Sequence, residues 1–304
     1  MKKETVKKHK IKPRLTDEQA AKLRGTLLEE KDFNTLITYD ADVYCSVTNN
    51  CIAKFRKKII PSVIAQNAYD SLKSVSVNTR NRTISAGNSD EHGNFSRKMI
   101  KKDGTVSNTN LAFEQNEVRS GIIGYFDRTP RTPYCRQTSF NEKQFSKYKK
   151  AYPIIKFVNE SYAKLMPKHY KLQKDLADKT SKDFVIKNTA FTTVTVNKNW
   201  QTALHTDKGD FEDGFGNLVV LRKGRYSGGY FVLPKWGVAF DVQNCDLLLV
   251  DVHQWHGNTP ITMIDDDALR ISLVMYYRKN MIHCGSAKEE ENIVKNRVEG
   301  QKLN

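Results

Sequence analysis

His205 and Asp207 stand two positions apart, after the run TAFTTVTVNKNW and the link QTAL. On an extended chain residues i and i+2 point to the same face, so an imidazole nitrogen and a carboxylate oxygen from this pair can reach one metal ion. A third ligand must come from elsewhere. His256 opens HGNTPI just after the apolar run DLLLVDV and is the best placed. His253 competes, but it falls inside the loop before that junction, so His256 is preferred. Two histidines and one carboxylate leave coordination positions open, the arrangement that suits a non-haem Fe(II) oxygenase. An H-x-D pair alone is weak, because it occurs by chance in many chains.

The run RISLVMYYR supplies a second set. Read as a strand, it puts Arg270, Ser272, Val274, Tyr276 and Arg278 on one face. If that face is inward, Arg270 and Ser272 can clamp the far carboxylate of a 2-oxo acid, the guanidinium through a bidentate contact. The plainer reading of a buried Arg270 is a partner for a core carboxylate. What carries weight is the ordered set: H-x-D, a Gly-Gly strand, a buried apolar run, H-G-N, then R-x-S on a strand.

That ordered set resembles the oxygenase domain of the TET/JBP family, from about Phe191 to Arg278. The matching text is FTTVTVNKNWQTALHTDKGD, GGYFVLP, VAFDVQNCDLLLVD, HGNTP and RISLVMYYR, with GIIGYFDRTPRTPYCRQTSF extending it upstream. The chain looks closer to the thymine-hydroxylating JBP branch and to small protist and viral members than to animal TET proteins. The resemblance implies an α+β fold with a double-stranded β-helix (jelly-roll, cupin-like) core and flanking N-terminal helices. It implies that Fe(II) is bound by His205, Asp207 and His256, and 2-oxoglutarate by Arg270 with Ser272. O2 is the third reactant, and the product is the 5-hydroxymethyl form of a pyrimidine, thymine or 5-methylcytosine. Asp210 falls where relatives place a polar contact to the target base, and Val274, Tyr276 and Arg278 where relatives line the base pocket. An arginine at position 278 is not the residue expected of a cytosine reader. Asp210 could accept from a cytosine N4 amine or from thymine N3–H.

The elements that must position these residues follow from pattern. From Lys187 onward the period is two and strands come at short intervals, which points to a barrel or sandwich. Gly228-Gly229 allows a close backbone approach or a bulge. Upstream, Thr16 and Gln19 form a capping box for a helix expected to reach about Glu30. KFRKKIIPSVIAQNAYDSLKSV is expected to be helical, interrupted near Pro61. FSKYKKAYPIIKFVNESYAKLMPKHYKLQKDLADK spaces apolar residues as a helix pair outside the barrel, with Pro153 in a first turn and Pro167 as a break. Its Lys147, Lys149, Lys150, Lys164, Lys168 and Lys171 are the candidate phosphate-facing set, against the simpler reading of a solvated face. Residues 76–110 are polar and basic and read either as a strand-positioning loop or as a disordered excursion. Residues 1–14 read as a basic disordered arm. Residues 15–304 read as one dioxygenase domain: a helical and loop region over 15–185, the β-helix core over 186–280 and a tail over 281–304.

The 304 residues carry 50 Lys and Arg against 34 Asp and Glu, a net charge of +16. That favours a polyanionic partner, DNA first and RNA second. No apolar run approaches a membrane helix, and the basic N-terminus lacks the apolar region of a secretory signal, so no membrane association is expected. Five cysteines without a C-x-x-C pair point to free thiols in a reducing compartment: an intracellular protein, nuclear if eukaryotic, not secreted, acting as a monomer. A methyl group inside a duplex cannot reach a buried metal, so the target nucleotide should be flipped. Trp200, Tyr230 and Tyr276 are candidate stackers, against the simpler reading of each as a core residue. Competing readings are a 2-oxoglutarate oxygenase acting on RNA, protein or a small molecule, and a nucleic-acid-binding module that has lost catalysis.

Overall fold

A computed structural model describes residues 5–79, 82–87, 99–100, 105–107, 118–130 and 132–302. Strict alternation builds its centre. Thr193–Lys198 pairs antiparallel with Leu269–Tyr276 on one side and Arg119–Phe126 on the other. The sheet continues from Leu269–Tyr276 through Gly216–Lys223, Leu247–Val250, Cys51–Arg56 and Ala41–Cys45 to Lys7–Ile11, which pairs in parallel at the edge. Facing it is a smaller sheet of Gly257–Asn258, Phe231–Leu233, Val238–Phe240 and Thr35–Ile37.

Period-two side chains divide the large sheet into two environments. Leu218, Val220, Leu248, Val250 and Phe55 pack inward against Leu233, Val238 and Phe240 of the small sheet. Val194, Val196, Val219, Leu221, Ile271, Leu273 and Met275 point the other way. They bury Ala65 and Leu72 of the helix Ser62–Leu72 and Ile154, Ile155, Val158 and Tyr162 of the helix Phe145–Leu165. Two facing sheets with helices on one outer face make the double-stranded β-helix core and flanking helices that the sequence implied. Among the described residues no helix is long and apolar enough to cross a membrane.

Several local expectations need correction. Lys7–Ile11 is a strand and not part of a disordered arm. Cys51–Arg56 is a strand, and the helix after it begins only at Ser62. Its basic residues Lys54 and Arg56 pair across the sheet with buried Asp42, at 3.4 and 2.8 Å. The Thr16–Gln19 capping box forms, but its helix stops at Lys22. Pro153 lies inside the helix Phe145–Leu165, whose apolar stripe holds it on the sheet through the missing backbone bond, while Pro167 opens the next helix, Pro167–Lys179. Cys135 and Cys284 are joined in a disulfide across 149 residues, leaving Cys45, Cys51 and Cys245 free, so the reading of five free thiols fails for one pair. Spacing along the chain could not reveal a pair that the fold brings together. Most of residues 76–110 lies outside the described residues.

Candidate active site

Asn258 fixes the approach of the chain to the site: its Oδ1 accepts from the Thr202 amide at 2.7 Å and from the Thr202 hydroxyl at 2.5 Å. Three residues on, His205 and His256 form an isolated antiparallel bridge, exchanging backbone bonds of 2.9 Å each way. The two imidazoles therefore face each other, with ring centroids 4.4 Å apart. Each ring is aimed by the same device: His205 Nδ1 donates to the Ala203 carbonyl at 2.7 Å, and His256 Nδ1 to the Gln254 carbonyl at 2.9 Å. That tautomer leaves both Nε2 lone pairs free, which is how metal-binding imidazoles are oriented. Phe231 stacks on His256 at 5.2 Å.

Asp207 completes the set. Its Oδ1 lies 3.5 Å from His205 Nε2 and its Oδ2 3.7 Å from His256 Nε2. One candidate ligand atom from each residue lies within 4.8 Å of the others. Burial first, and the nearby His256 second, hold the His205 pKa down to about 4, so the ring is neutral at physiological pH. Two imidazoles with one carboxylate are the donor set of an open Fe(II) centre. His253 lies outside this group and bonds to Asp251 at 3.3 Å.

A cavity of about 300 Å³ opens beside the triad. Arg270, Ser272, Val274, Tyr276 and Arg278 all line it, so the strand presents the expected face inward. Arg270 is buried, and its Nη2 donates to the Gly229 carbonyl at 3.3 Å. Its Nε is buried with no partner among the described residues, as is the indole Nε1 of Trp200 in the same wall. An unpaired buried guanidinium N–H is costly, so the site fits a bound dicarboxylate that would satisfy it. Gly229 makes room: its φ is +70°, and a Cβ there would sit 3.3 Å from Arg270 Nε.

A match of family level decides what this arrangement belongs to: the Tet_JBP profile, described as the oxygenase domain of the 2OGFeDO superfamily, covers residues 121–279. The chain belongs to the Tet_JBP family. As a Tet_JBP domain it sits in a superfamily of Fe(II)- and 2-oxoglutarate-dependent oxygenases, and the triad and Arg270 fit both groups. Among relatives, it is 42% identical over 164 residues to "Thymine dioxygenase JBP1" of Trypanosoma brucei brucei, covering 52% of this chain and 19% of that protein. It is 34% identical over 188 residues to "Bifunctional helicase and thymine dioxygenase JBP2" of Trypanosoma cruzi (strain CL Brener), covering 60% of this chain and 17% of that one. The matches thus span about a fifth of these curated relatives. The solved structure of NgTET1 in complex with 5mC DNA superposes with a TM-score of 0.56 at 14% identity, covering 87% of both chains, and so shares the fold.

The far end of the cavity holds the residues singled out for the base. Asp210 is buried, with Oδ2 unpartnered. Burial pushes its carboxyl well above the usual range, Asp207 adds to the rise and Arg278 opposes it. Tyr276 is buried and its hydroxyl meets Thr195 Oγ1 at 3.2 Å. Trp200 also lines the cavity, whereas Tyr230 packs edge-on against Phe33. Sequence reading passed over Arg82, Asn197, Asn258 and Asp127. Arg82 Nε donates to Ser120 Oγ at 3.0 Å, and Ser120 donates on to Asn197 at 2.6 Å. Asn258 in the H-G-N text, Asn197 in FTTVTVNKNW and Asp127 in GYFDRT stood in quoted motifs, but none was given a role there.

The lysine helices are placed elsewhere. The apolar stripe of Phe145–Leu165 packs on the sheet face opposite the triad. Lys147, Lys149, Lys150 and Lys164 are carried by this helix, behind the sheet from the triad.

Proposed function

We propose that this chain is an Fe(II)- and 2-oxoglutarate-dependent dioxygenase that hydroxylates the 5-methyl group of thymine in DNA. The carrying observation is the convergence of His205, Asp207 and His256 beside a cavity whose buried Arg270 Nε has no partner among the described residues. The names of the JBP relatives support thymine as the base. The overall change balances as R–CH3 plus 2-oxoglutarate plus O2 giving R–CH2OH plus succinate plus CO2, and the metal with its co-substrate supplies that oxidation.

The residues of the chain do the rest. The Ala203 and Gln254 carbonyls hold His205 and His256 in the metal-binding tautomer. Arg270, with Ser272 beside it, binds the far carboxylate of 2-oxoglutarate. Leu218, Phe231, Val250 and Val274 give the cavity an apolar lining that keeps bulk water from the reacting methyl. Asp210, Tyr276 and Arg278 receive a flipped base. Unstacking costs a few kcal/mol, which phosphate contacts made by a chain of net charge +16 offset. The reading places the chain inside the cell, acting on DNA as a monomer, in the nucleus if the cell has one.

The test is incubation of the full chain with Fe(II), 2-oxoglutarate and duplexes carrying thymine or 5-methylcytosine, followed by mass spectrometry of nucleosides. 5-Hydroxymethyluracil is expected; no hydroxymethylated base from either duplex overturns the reading.

A further inference from the structure

Arg278 has a backbone fixed on both sides. It bridges to Asp210, with Phe211 N donating to Tyr277 O at 2.9 Å and Lys279 N to Gly209 O at 3.0 Å. Its own amide donates to Thr192 Oγ1 at 3.0 Å. What remains free is the direction of a long side chain with several rotamers. That direction is set from another strand. Asp127, at the end of Arg119–Phe126, is buried, and its Oδ1 receives both Nε at 2.8 Å and Nη2 at 2.7 Å of Arg278. The Phe126 ring meets two guanidinium groups, Arg278 at 5.6 Å and Arg136 at 4.8 Å from its centroid. Two guanidinium nitrogens are thus committed to Asp127, while the group still lines the cavity beside Asp210 and Tyr276.

The Asp127 arm is itself clasped. Glu290, buried on the helix Ala287–Lys302, accepts from Arg128 Nη2 at 2.6 Å, from the Cys135 amide at 2.7 Å and from the Gly285 amide at 2.8 Å. The Cys135–Cys284 disulfide closes the same junction.

We infer that Asp127 is a positioning residue for the nucleotide pocket: it aims the Arg278 guanidinium at the base, held in place by the Glu290 clasp. The inference rests on the pocket reading above, in that Arg278 must face a nucleotide. Asp127 touches neither metal nor co-substrate residues, so its effect is confined to DNA.

The test compares Asp127→Asn, Arg278→Gln and the double variant in the full chain with Fe(II) and 2-oxoglutarate. Measured are KM and kcat on thymine duplex, succinate formed without DNA, and melting temperature. Each single variant is expected to raise KM for DNA about 10- to 100-fold, and Asp127→Asn is expected to leave DNA-free succinate formation at the parent rate. The double variant is expected to be no worse than Arg278→Gln alone, because a residue acting through another adds nothing once that one is gone. Asp127→Glu, which keeps the charge, should recover part of the loss and guards against misfolding of the Asn form. Additive losses, or loss of DNA-free turnover in step with DNA turnover, would overturn the assignment. So would a DNA KM unchanged in Asp127→Asn. A parent chain that forms succinate but oxidises no base would instead bring down the pocket reading, and this inference with it.

Discussion

His205 and His256, 51 positions apart in sequence, trade backbone hydrogen bonds of 2.9 Å in both directions. The bridge does for the imidazoles what a strand pair does for cross-strand neighbours: it fixes their separation before any metal arrives. Removing a ring should therefore remove the metal without unfolding the chain. His205→Ala and Asp207→Ala are each expected to abolish hydroxylation and to lose Fe(II) binding in an anaerobic titration. Salt-dependent binding to duplex DNA should persist. Retained 5-hydroxymethyluracil in either variant would count against this ligand set.

Arg270 should govern one reactant only. Arg270→Lys keeps the charge and loses the planar fork, and is expected to raise KM for 2-oxoglutarate roughly 10- to 100-fold. Gly229→Ala should move the same constant, since its Cβ would press on Arg270 Nε from a backbone at φ +70°. Initial-rate kinetics in 2-oxoglutarate at saturating DNA decide it, and an unaltered KM in both would place the clamp elsewhere.

Asn258, in the strand after His256, ties down the link before His205 through its two contacts with Thr202. Asn258→Ala is expected to cost about 1–3 kcal/mol, because it strands a buried amide N–H, and to weaken Fe(II) binding as well. Thermal unfolding and metal titration on the same sample would show whether the two losses go together.

Glu290 gives the fold an acid limit. Burial raises its pKa, but the Arg128, Cys135 and Gly285 donors outweigh that and leave it below the ordinary value of 4.5. A carboxylate with a depressed folded-state pKa stabilises above its unfolded pKa, and that contribution fades as pH falls through the folded value. Stability should thus be flat near neutrality and drop below about pH 4.5. Glu290→Gln should be less stable by about 2 kcal/mol at pH 7. It should also show a shallower acid fall in urea titrations at stepped pH; an acid limb as steep as the parent's would acquit Glu290.

Local pattern revealed the strands that carry the chemistry. Thr193–Lys198 and Leu269–Tyr276 alternate cleanly, and the inward face of Arg270, Ser272, Val274, Tyr276 and Arg278 follows from period two. The N-terminal strands were hidden for a physical reason. Lys54 and Arg56 resemble a solvated basic run until Asp42 is brought beside them by the neighbouring strand. Lys7–Ile11 likewise earns its strand only from a parallel partner at Ala41–Cys45. Asp127 and Glu290 escaped notice because a carboxylate's partner, not its own neighbours in sequence, gives it a role. The charge of the lysine-rich helix Phe145–Leu165 was legible in its sequence, but the layer it occupies depends on the sheet it packs against.

The clasp at Glu290 and Cys284 lies beyond residue 279, where the family match ends. A chain ended at residue 279 would keep the triad and Arg270 yet lose the Glu290 and Cys284 contacts that hold the arm bearing Asp127. By the function proposed above, such a chain should bind its co-substrate yet handle its polymer poorly, so the boundary of inheritance and the boundary of competence fall at different places in this chain.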